Sequence, residues 1–175
     1  DNTLRLQGSV INLPREGYLQ VSSACMSVQN CFWFFDQREL SVIRVDAQLR
    51  KLANSGRLDQ HLGFAPQPTS LQEQESRLYV NDPAQGILVF DLFGTYVRTI
   101  PITGIRSFEV RGERLWFLDA KGLKVYDMRS FATVDVPMEG DMTAVLDVRV
   151  DRGMYYMLTA ERIIVRPLPI ATEER

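Results

Sequence analysis

Residues 77–104, RLYVNDPAQGILVFDLFGTYVRTIPITG, contain the unit that the rest of the chain repeats. Short runs of β-branched and aromatic residues alternate in it with Gly, Pro and Asp, a pattern typical of antiparallel strands joined by tight turns. The strands are expected at 78–82, 87–91 and 96–102. This stretch therefore predicts a β-meander.

Related units precede and follow this stretch. Their second strands align at 32–36, 78–82, 115–119 and 155–159, so successive copies lie 46, 37 and 40 residues apart. An inner strand is expected before each one, at 24–28, 69–74, 107–110 and 146–150. Repeats of this length built from short strands are typical of the four-stranded antiparallel blades of a β-propeller. The sequence predicts an all-β fold with about four such blades, in which helix makes up less than about a fifth of the chain.

The blades are predicted within a single domain over 1–175, at 21–53, 68–103 and 105–138, with a partial blade at 142–167. Residues 1–13 are interpreted as the outer strand of a preceding blade, centred on 4–11, because Asp1 stands where an Asp closes a strand in later copies. This strand could complete the last blade and close a ring of four. Alternatively, the chain is an arc of a larger propeller, which we predict to have six blades.

An aromatic residue and an Asp recur in the second strands. The aromatic residues are Trp33, Tyr79, Trp116 and Tyr156. We expect them to fill the wedge between blades rather than to stack on a ligand. The strands end at Asp36, Asp82, Asp119 and Thr159. Because a turn Asp commonly accepts hydrogen bonds from backbone N–H groups two residues on, these side chains are expected to be structural.

The central unit resembles the NHL class of propeller repeat, whose pattern is roughly LYVaD…I.vFd..G.yv. The matching residues are Leu78-Tyr79-Val80, Asp82, Ile87, Val89-Phe90-Asp91 and Gly94-Thr95-Tyr96-Val97. The longer runs FWFFDQRELSVIRVDAQL and LYVNDPAQGILVFDLFGTYVRTIPI are similar to a group of secreted propeller proteins of Gram-negative bacteria. Those proteins begin with a signal peptide and carry extra strands before the point at which Asp1 falls. The resemblance implies a periplasmic or outer-membrane-associated location and supplies no catalytic residue.

The composition and the sequence motifs limit the classes of function that this chain could have. The formal net charge is −2 and basic residues are scattered along the chain, so no electrostatic footprint for nucleic acid is present. No apolar stretch approaches the ~20 residues that a transmembrane helix needs. The sequence lacks GxSxG, HExxH, P-loop, GxGxxG and CxxC motifs, and His61 is its single histidine. We therefore expect no enzymatic activity, no cofactor and no metal site.

The two cysteines, Cys25 and Cys31, lie six residues apart across an expected hairpin turn. They could form a disulfide in an oxidising compartment, or they could pack as small apolar residues in a buried sheet. Neighbouring antiparallel strands hold disulfides only with strained geometry, so the sequence favours the second interpretation.

Two surfaces are candidates for binding. The connection at 53–68 places Leu58, Leu62 and Phe64 at near-helical spacing after Ser55, a possible helix N-cap. These apolar residues either cover the propeller rim as a short helix or bind another protein. The second surface is the face at which the chain enters the inner strands, where side chains are expected to ring the central channel: Gln20, Ser22, Gln67, Thr69, Arg106, Ser107, Met142 and Thr143. Solvated channel lining is the simpler interpretation of this set.

Together these features predict a non-catalytic interaction or scaffolding propeller in a bacterial cell-envelope assembly, with another envelope protein as partner. The alternative is a propeller enzyme, or a glycan- or metal-binding domain, that acts through the central channel.

Overall fold

The computed structural model describes residues 11–27, 30–138 and 142–168, and four antiparallel sheets dominate this part of the chain. The first sheet contains β1 (Val21–Ser27), β2 (Cys31–Asp36), β3 (Ser41–Val45) and β4 (Lys51–Asn54). The second contains β5 (Ser70–Gln74), β6 (Arg77–Asp82), β7 (Gly86–Asp91) and β8 (Tyr96–Ile100). The third contains β9 (Ser107–Arg111), β10 (Arg114–Asp119), β11 (Gly122–Asp127) and β12 (Thr133–Asp135). The fourth contains β13 (Val145–Asp151), β14 (Met154–Thr159) and β15 (Ile163–Pro167).

Every sheet is a meander in which each strand pairs with the next one in the chain. Helix is limited, in the described ranges, to α1 (Leu58–Leu62), two short 3-10 helices, Leu13–Glu16 and Met142–Ala144, and a single 3-10 residue at Asn30. The chain is therefore an all-β protein whose sheets are arranged as propeller blades. The predicted second strands are confirmed, and each begins one residue earlier than the sequence indicated.

The recurring Asp closes the turn after the second strand in the first three sheets, as predicted. The Oδ1 atom of Asp36 accepts hydrogen bonds from the backbone N–H groups of Arg38 and Glu39 at 2.9 and 3.2 Å. Asp82 and Asp119 make the same pair of bonds to the residues two and three positions on. In the fourth sheet, Thr159 takes the place of the Asp, and its hydroxyl oxygen accepts the hydrogen bonds from the backbone N–H groups two and three positions on. These carboxylates are thus turn-forming groups.

The sheets pack face to face in chain order, and each junction buries one face of both neighbours. The first junction packs Trp33, Phe35 and Val42 against Leu78, Val80, Leu88 and Phe90. The second packs Tyr79, Ile87 and Val89 against Phe108, Val110, Leu115 and Phe117. The third packs Leu118 and Leu123 against Val148, Val150, Tyr155 and Met157. Side chains alternate between the two faces of a strand, so the near-continuous apolar runs of the second strands serve two junctions at once.

The inner strands contact one another in the order β1, β5, β9 and β13. Among the described residues, β13 does not pack back against β1 to a comparable extent. The expected outer strand at 4–11 lies outside the described residues except for Ile11, so the choice between a ring of four blades and an arc of six remains a prediction.

The two cysteines do not form a disulfide. Cys25 lies opposite Trp33 and Cys31 lies opposite Ser27 in the pairing of β1 with β2. The structure agrees with the interpretation that both cysteines pack within the sheet.

Candidate functional site

The inner strands β5, β9 and β13 surround a cavity of about 350 Å³. It is lined by Ser70, Leu71, Gln72, Arg106, Ser107, Phe108, Glu109, Leu146, Asp147 and Arg149. Both signs of charge are present, so the chemistry of the cavity depends on how far these groups are already paired.

Gln72 connects the second sheet to the third, and Glu109 connects the third sheet to the fourth. The Oε1 atom of Gln72 accepts from the Val110 N–H at 2.8 Å, and its Nε2 donates to the Val110 carbonyl oxygen at 3.3 Å. One sheet further on, Glu109 Oε2 accepts from the Val150 N–H at 2.7 Å. Both residues lie opposite the recurring aromatic residue of the neighbouring strand. The same position therefore makes the same link at two successive junctions.

The arginine side chains of the cavity are also hydrogen-bonded to backbone carbonyl oxygens of the neighbouring sheets. Arg106 donates to the carbonyl oxygens of Asp119 and Met142 at 3.1 and 3.2 Å. Arg149 Nη1 donates to the Phe108 carbonyl oxygen at 2.9 Å, and its Nη2 lies 3.2 Å from the Asp147 carboxylate. The Ser107 hydroxyl donates to that carboxylate as well. The polar groups of the cavity wall thus hold neighbouring sheets together.

The link made by Glu109 gives a testable stability effect. Glu109→Ala is expected to lower the free energy of unfolding by about 1–3 kcal/mol, because it leaves the buried Val150 N–H without an acceptor. Glu109→Gln keeps an oxygen acceptor and should cost less. Urea denaturation of the two variants measures the difference. Equal losses would contradict the acceptor role and assign the effect to the ion pair with Arg111, which lies 2.8 Å from Glu109.

Cys25 occupies the equivalent position in the first sheet, opposite Trp33. Burial raises the pKa of its thiol to about 12, and a hydrogen bond with the Glu73 backbone opposes this rise only in part. The protonated thiol is therefore the form that the first junction accommodates.

The raised pKa of Cys25 predicts that stability falls at high pH. An unfolded thiol ionises near its ordinary pKa of 9.0, whereas the folded one keeps its proton up to about 12. The stabilisation is fully present below pH 9.0 and is lost as the pH rises towards 12. Urea titrations on both sides of pH 9.0 should show a steeper loss for the native chain than for Cys25→Ala. Parallel pH profiles would show that Cys25 does not cause the loss.

The eight residues expected to ring the channel are separated in the structure. Arg106 and Ser107 line the cavity. Gln20 and Gln67 are joined through Gln37, with 3.2 Å between the side-chain atoms at both steps. Thr69 accepts a hydrogen bond from the Asn81 side chain at 3.0 Å.

Of the other three members, Ser22 and Met142 are not among the residues that line the cavity. Ser22 is an exposed residue of β1. Met142 lines a smaller pocket beside the third sheet. Thr143 lies in the 3-10 helix Met142–Ala144, and its side chain is outside the described part of the chain. Gln72, Glu109, Asp147 and Arg149 were missed, although polar residues at alternate positions of an inner strand would have indicated them.

The connection after the first sheet turns its apolar residues inward. Leu58 is 1% exposed, and Leu62 and Phe64 are partly buried against the same core cluster. These side chains therefore cover the edge of the first junction. The expected N-cap at Ser55 is wrong: the N-cap of α1 is Arg57, and the Ser55 hydroxyl accepts from the Val42 N–H at 3.1 Å.

A different set of apolar residues faces solvent on the outermost strands and the turns that precede them. We call this set the outer rim: Leu52, Phe93, Val97, Phe131 and Val134, which are 45–78% exposed. Leu52 in β4 and Val97 in β8 are the extra residues of β-bulges. The outer rim thus extends over three successive sheets.

Phe93 is the most exposed large apolar residue of the outer rim, at 78%. Its turn is fixed by Asp91 Oδ1, which accepts from the backbone N–H groups of Phe93 and Thr95 at 2.9 and 2.8 Å. Gly94 follows, and a Cβ at this glycine would lie 2.9 Å from the Ser55 backbone nitrogen. The aromatic ring is therefore presented from a turn that is held against the first sheet.

Neither a metal centre nor a membrane span is evident in the ranges that the structure describes. No group of three or more His, Cys, Asp or Glu side chains is placed to hold a metal ion. No helix in those ranges has the length and apolar content needed to cross a bilayer.

No protein-family model and no curated protein matches the chain. Solved structures do match. The computationally designed Ika4 protein is 12% identical with a TM-score of 0.57, over 85% of this chain and 91% of its own. PorZ, a bacterial surface component of the type-IX secretion system of Porphyromonas gingivalis, is 17% identical with a TM-score of 0.63, over 84% of this chain and 21% of its own.

The extracellular domain of BT4673 from B. thetaiotaomicron is 12% identical with a TM-score of 0.60, over 85% of this chain and 20% of its own. The chain thus spans about a fifth of the length of each of these two bacterial proteins. At such low identity the likeness concerns the fold alone, and it agrees with the sheet topology that the chain is a β-propeller.

Proposed function

We propose that this chain is a non-catalytic interaction module of a bacterial cell-envelope assembly, and that it binds another envelope protein through the outer rim. The observation that carries the proposal is Phe93, a 78% exposed aromatic ring on a fixed turn. Aromatic residues that are already held in place are effective binding anchors, because little conformational entropy is lost on docking.

The bulges of the outer rim favour one mode of binding. Edge strands can pair with a further strand, but a bulge interrupts the regular ladder of backbone groups. β4 and β8 both contain a bulge whose extra residue is apolar and about half exposed. The partner is therefore expected to cover apolar side chains rather than to add a strand to the sheet.

The absence of catalysis is proposed from how the cavity's polar groups are used. Glu109 and Gln72 accept backbone N–H groups of the next sheet, and Arg106 donates to backbone carbonyl oxygens. Acid–base or nucleophilic chemistry needs such groups to reach a substrate instead. The envelope location is proposed from the resemblance of the repeats to secreted propellers. The fold-level likeness to a bacterial surface component and an extracellular domain agrees with it.

A photo-crosslinking experiment in the bacterium tests the proposal. A benzophenone amino acid at position 93 should give one protein adduct from the envelope fraction, whereas the same probe at the exposed Glu161 in the β14–β15 turn should not. Phe93→Ala in an otherwise native chain should leave the unfolding midpoint unchanged and abolish co-purification of that adduct protein. Equal adducts from both positions, or none from position 93, would overturn the proposal.

A further inference from the structure

The wall of the cavity between β5, β9 and β13 contains a cation that no carboxylate neutralises. Arg149 lies 3.2 Å from the Asp147 carboxylate, and Glu109 lies 2.8 Å from the Arg111 guanidinium. Arg106 also lines the cavity, but its described contacts are all with backbone carbonyl oxygens, and no acidic side chain of the described ranges forms an ion pair with it. The charge of Arg106 is therefore available to an anion.

The guanidinium of Arg106 also keeps hydrogen-bond donors for a ligand. It donates to the carbonyl oxygens of Val145, Asp119 and Met142 at 3.4, 3.1 and 3.2 Å. A guanidinium has five N–H donors, so these three bonds leave two. The same bonds hold the group in place, and a donor that is already positioned loses little side-chain entropy when it binds a ligand.

The two carboxylates of the cavity wall are occupied by donors from the protein. Asp147 accepts a hydrogen bond from the Ser107 hydroxyl and lies beside Arg149. Glu109 Oε2 accepts from the Val150 N–H at 2.7 Å, in addition to the ion pair described above. Both negative charges are therefore compensated within the wall and do not oppose the entry of an anion.

An exposed apolar side chain lies next to the Arg106 guanidinium. Leu146 is the extra residue of a bulge in β13, where the register shifts between Val145 and Asp147. It lines the cavity and is 59% exposed, whereas the preceding Val145 is 2% exposed. Bulges redirect a side chain in this way. Because Arg106 bonds to the carbonyl oxygen of the peptide that joins Val145 to Leu146, the cation and the leucine are neighbours on one wall.

We propose that this cavity binds a small organic monocarboxylate, whose carboxylate pairs with Arg106 and whose apolar part packs against Leu146. One negative charge balances the one lining cation that lacks a carboxylate partner among the described residues. The volume of about 350 Å³ is near the lower end of the range for small-molecule sites, which favours a compact ligand. Leu71 and Phe108 extend the apolar part of the wall.

Benzoate is a suitable probe because it combines one carboxylate with a compact apolar ring. Amide NMR titration of the native chain with benzoate should give saturable shifts at Arg106 and Leu146. Benzyl alcohol has the same ring without the charge and should bind at least about tenfold more weakly. Leu146→Ala should weaken the binding of benzoate and leave that of acetate unchanged, because acetate has no ring to lie against the leucine.

Variants of Arg106 test the contribution of the charge. Arg106→Gln should raise the dissociation constant of benzoate by at least about tenfold. Arg106→Lys keeps the charge and should retain more affinity than Arg106→Gln, although both variants change the contacts with the carbonyl oxygens. Arg162→Gln is the matched control, since Arg162 is exposed in the β14–β15 turn and does not line the cavity. It should bind benzoate as the native chain does.

An absence of saturable shifts at these residues, equal binding of benzyl alcohol, or an equal loss in Arg162→Gln would overturn the proposal. Inorganic phosphate that binds as tightly as benzoate would overturn it as well, because the cavity would then select only for negative charge. The cavity and the outer rim share no residue, so the crosslink from position 93 should persist in Arg106→Gln. The two proposals can therefore fail separately.

Discussion

Replacing Trp33 with alanine is expected to lower the free energy of unfolding by about 3–5 kcal/mol, because it removes a fully buried ring from a packed interface. Trp33 is 0% exposed and lies at the centre of the first junction. Its Nε1 donates to Glu73 Oε2 at 2.6 Å, and the Arg44 guanidinium carbon lies 6.0 Å from the ring centroid. The loss therefore combines a cavity with a carboxylate that has lost one of its donors.

Two further variants separate these contributions in urea denaturation. Trp33→Phe keeps most of the ring and removes the N–H donor, so it should cost about 1–3 kcal/mol. Trp116→Ala changes the equivalent residue of the third sheet, which is only partly buried against its cluster. Its loss should be smaller than that of Trp33→Ala. If the two alanine variants lose the same free energy, burial at the first junction does not control the effect.

Gly86→Ala is expected to be about as damaging, with a loss of about 3–5 kcal/mol from backbone strain and steric overlap. Gly86 has a φ of +107°, and a Cβ there would lie 2.3 Å from the Ile100 carbonyl oxygen. That oxygen belongs to the backbone and accepts a hydrogen bond from the Ile102 N–H at 2.8 Å. Relief of the overlap would require the connection between the second and third sheets to move.

Gly122 provides the control for Gly86. It begins β11 as Gly86 begins β7, and its φ is +137°. The nearest atom to a Cβ at Gly122 is the Met142 side-chain Cγ at 3.9 Å, an ordinary contact. Gly122→Ala should therefore show backbone strain alone and a smaller loss in the same denaturation experiment. Equal losses would mean that the Ile100 carbonyl oxygen has shifted without cost.

The fold was accessible from the sequence because each repeat contains the same local signals. Asp36, Asp82 and Asp119 close equivalent turns, and the apolar runs before them serve two junctions, so copies could be aligned without a structure. The N-cap at Ser55 failed for a local reason. The Ser55 hydroxyl oxygen accepts a hydrogen bond from the Val42 N–H across the sheet. The spacing of the two residues in the sequence does not reveal this contact.

The candidate sites were less accessible because they depend on which face of a strand a residue occupies. Leu58, Leu62 and Phe64 have the spacing of an apolar helix, but that spacing does not tell whether the apolar side faces solvent or the first junction. Two residues of the outer rim, Leu52 and Val97, were missed because they are bulge residues. A bulge changes the alternation of side chains, and the register of the neighbouring strand decides where it falls.

The links made by Gln72, Glu109 and Cys25 each join a sheet to the one that follows it in the chain. An array with only nearest-neighbour coupling can fold by propagation from one sheet to the next, and its ends open before its centre. Among the described residues, the second and third sheets have a junction on both faces, whereas the fourth packs against the third sheet alone. Amide hydrogen exchange in the isolated chain should therefore be slowest in β6 and β10 and faster in β14, so that thermal opening begins at the C-terminal sheet.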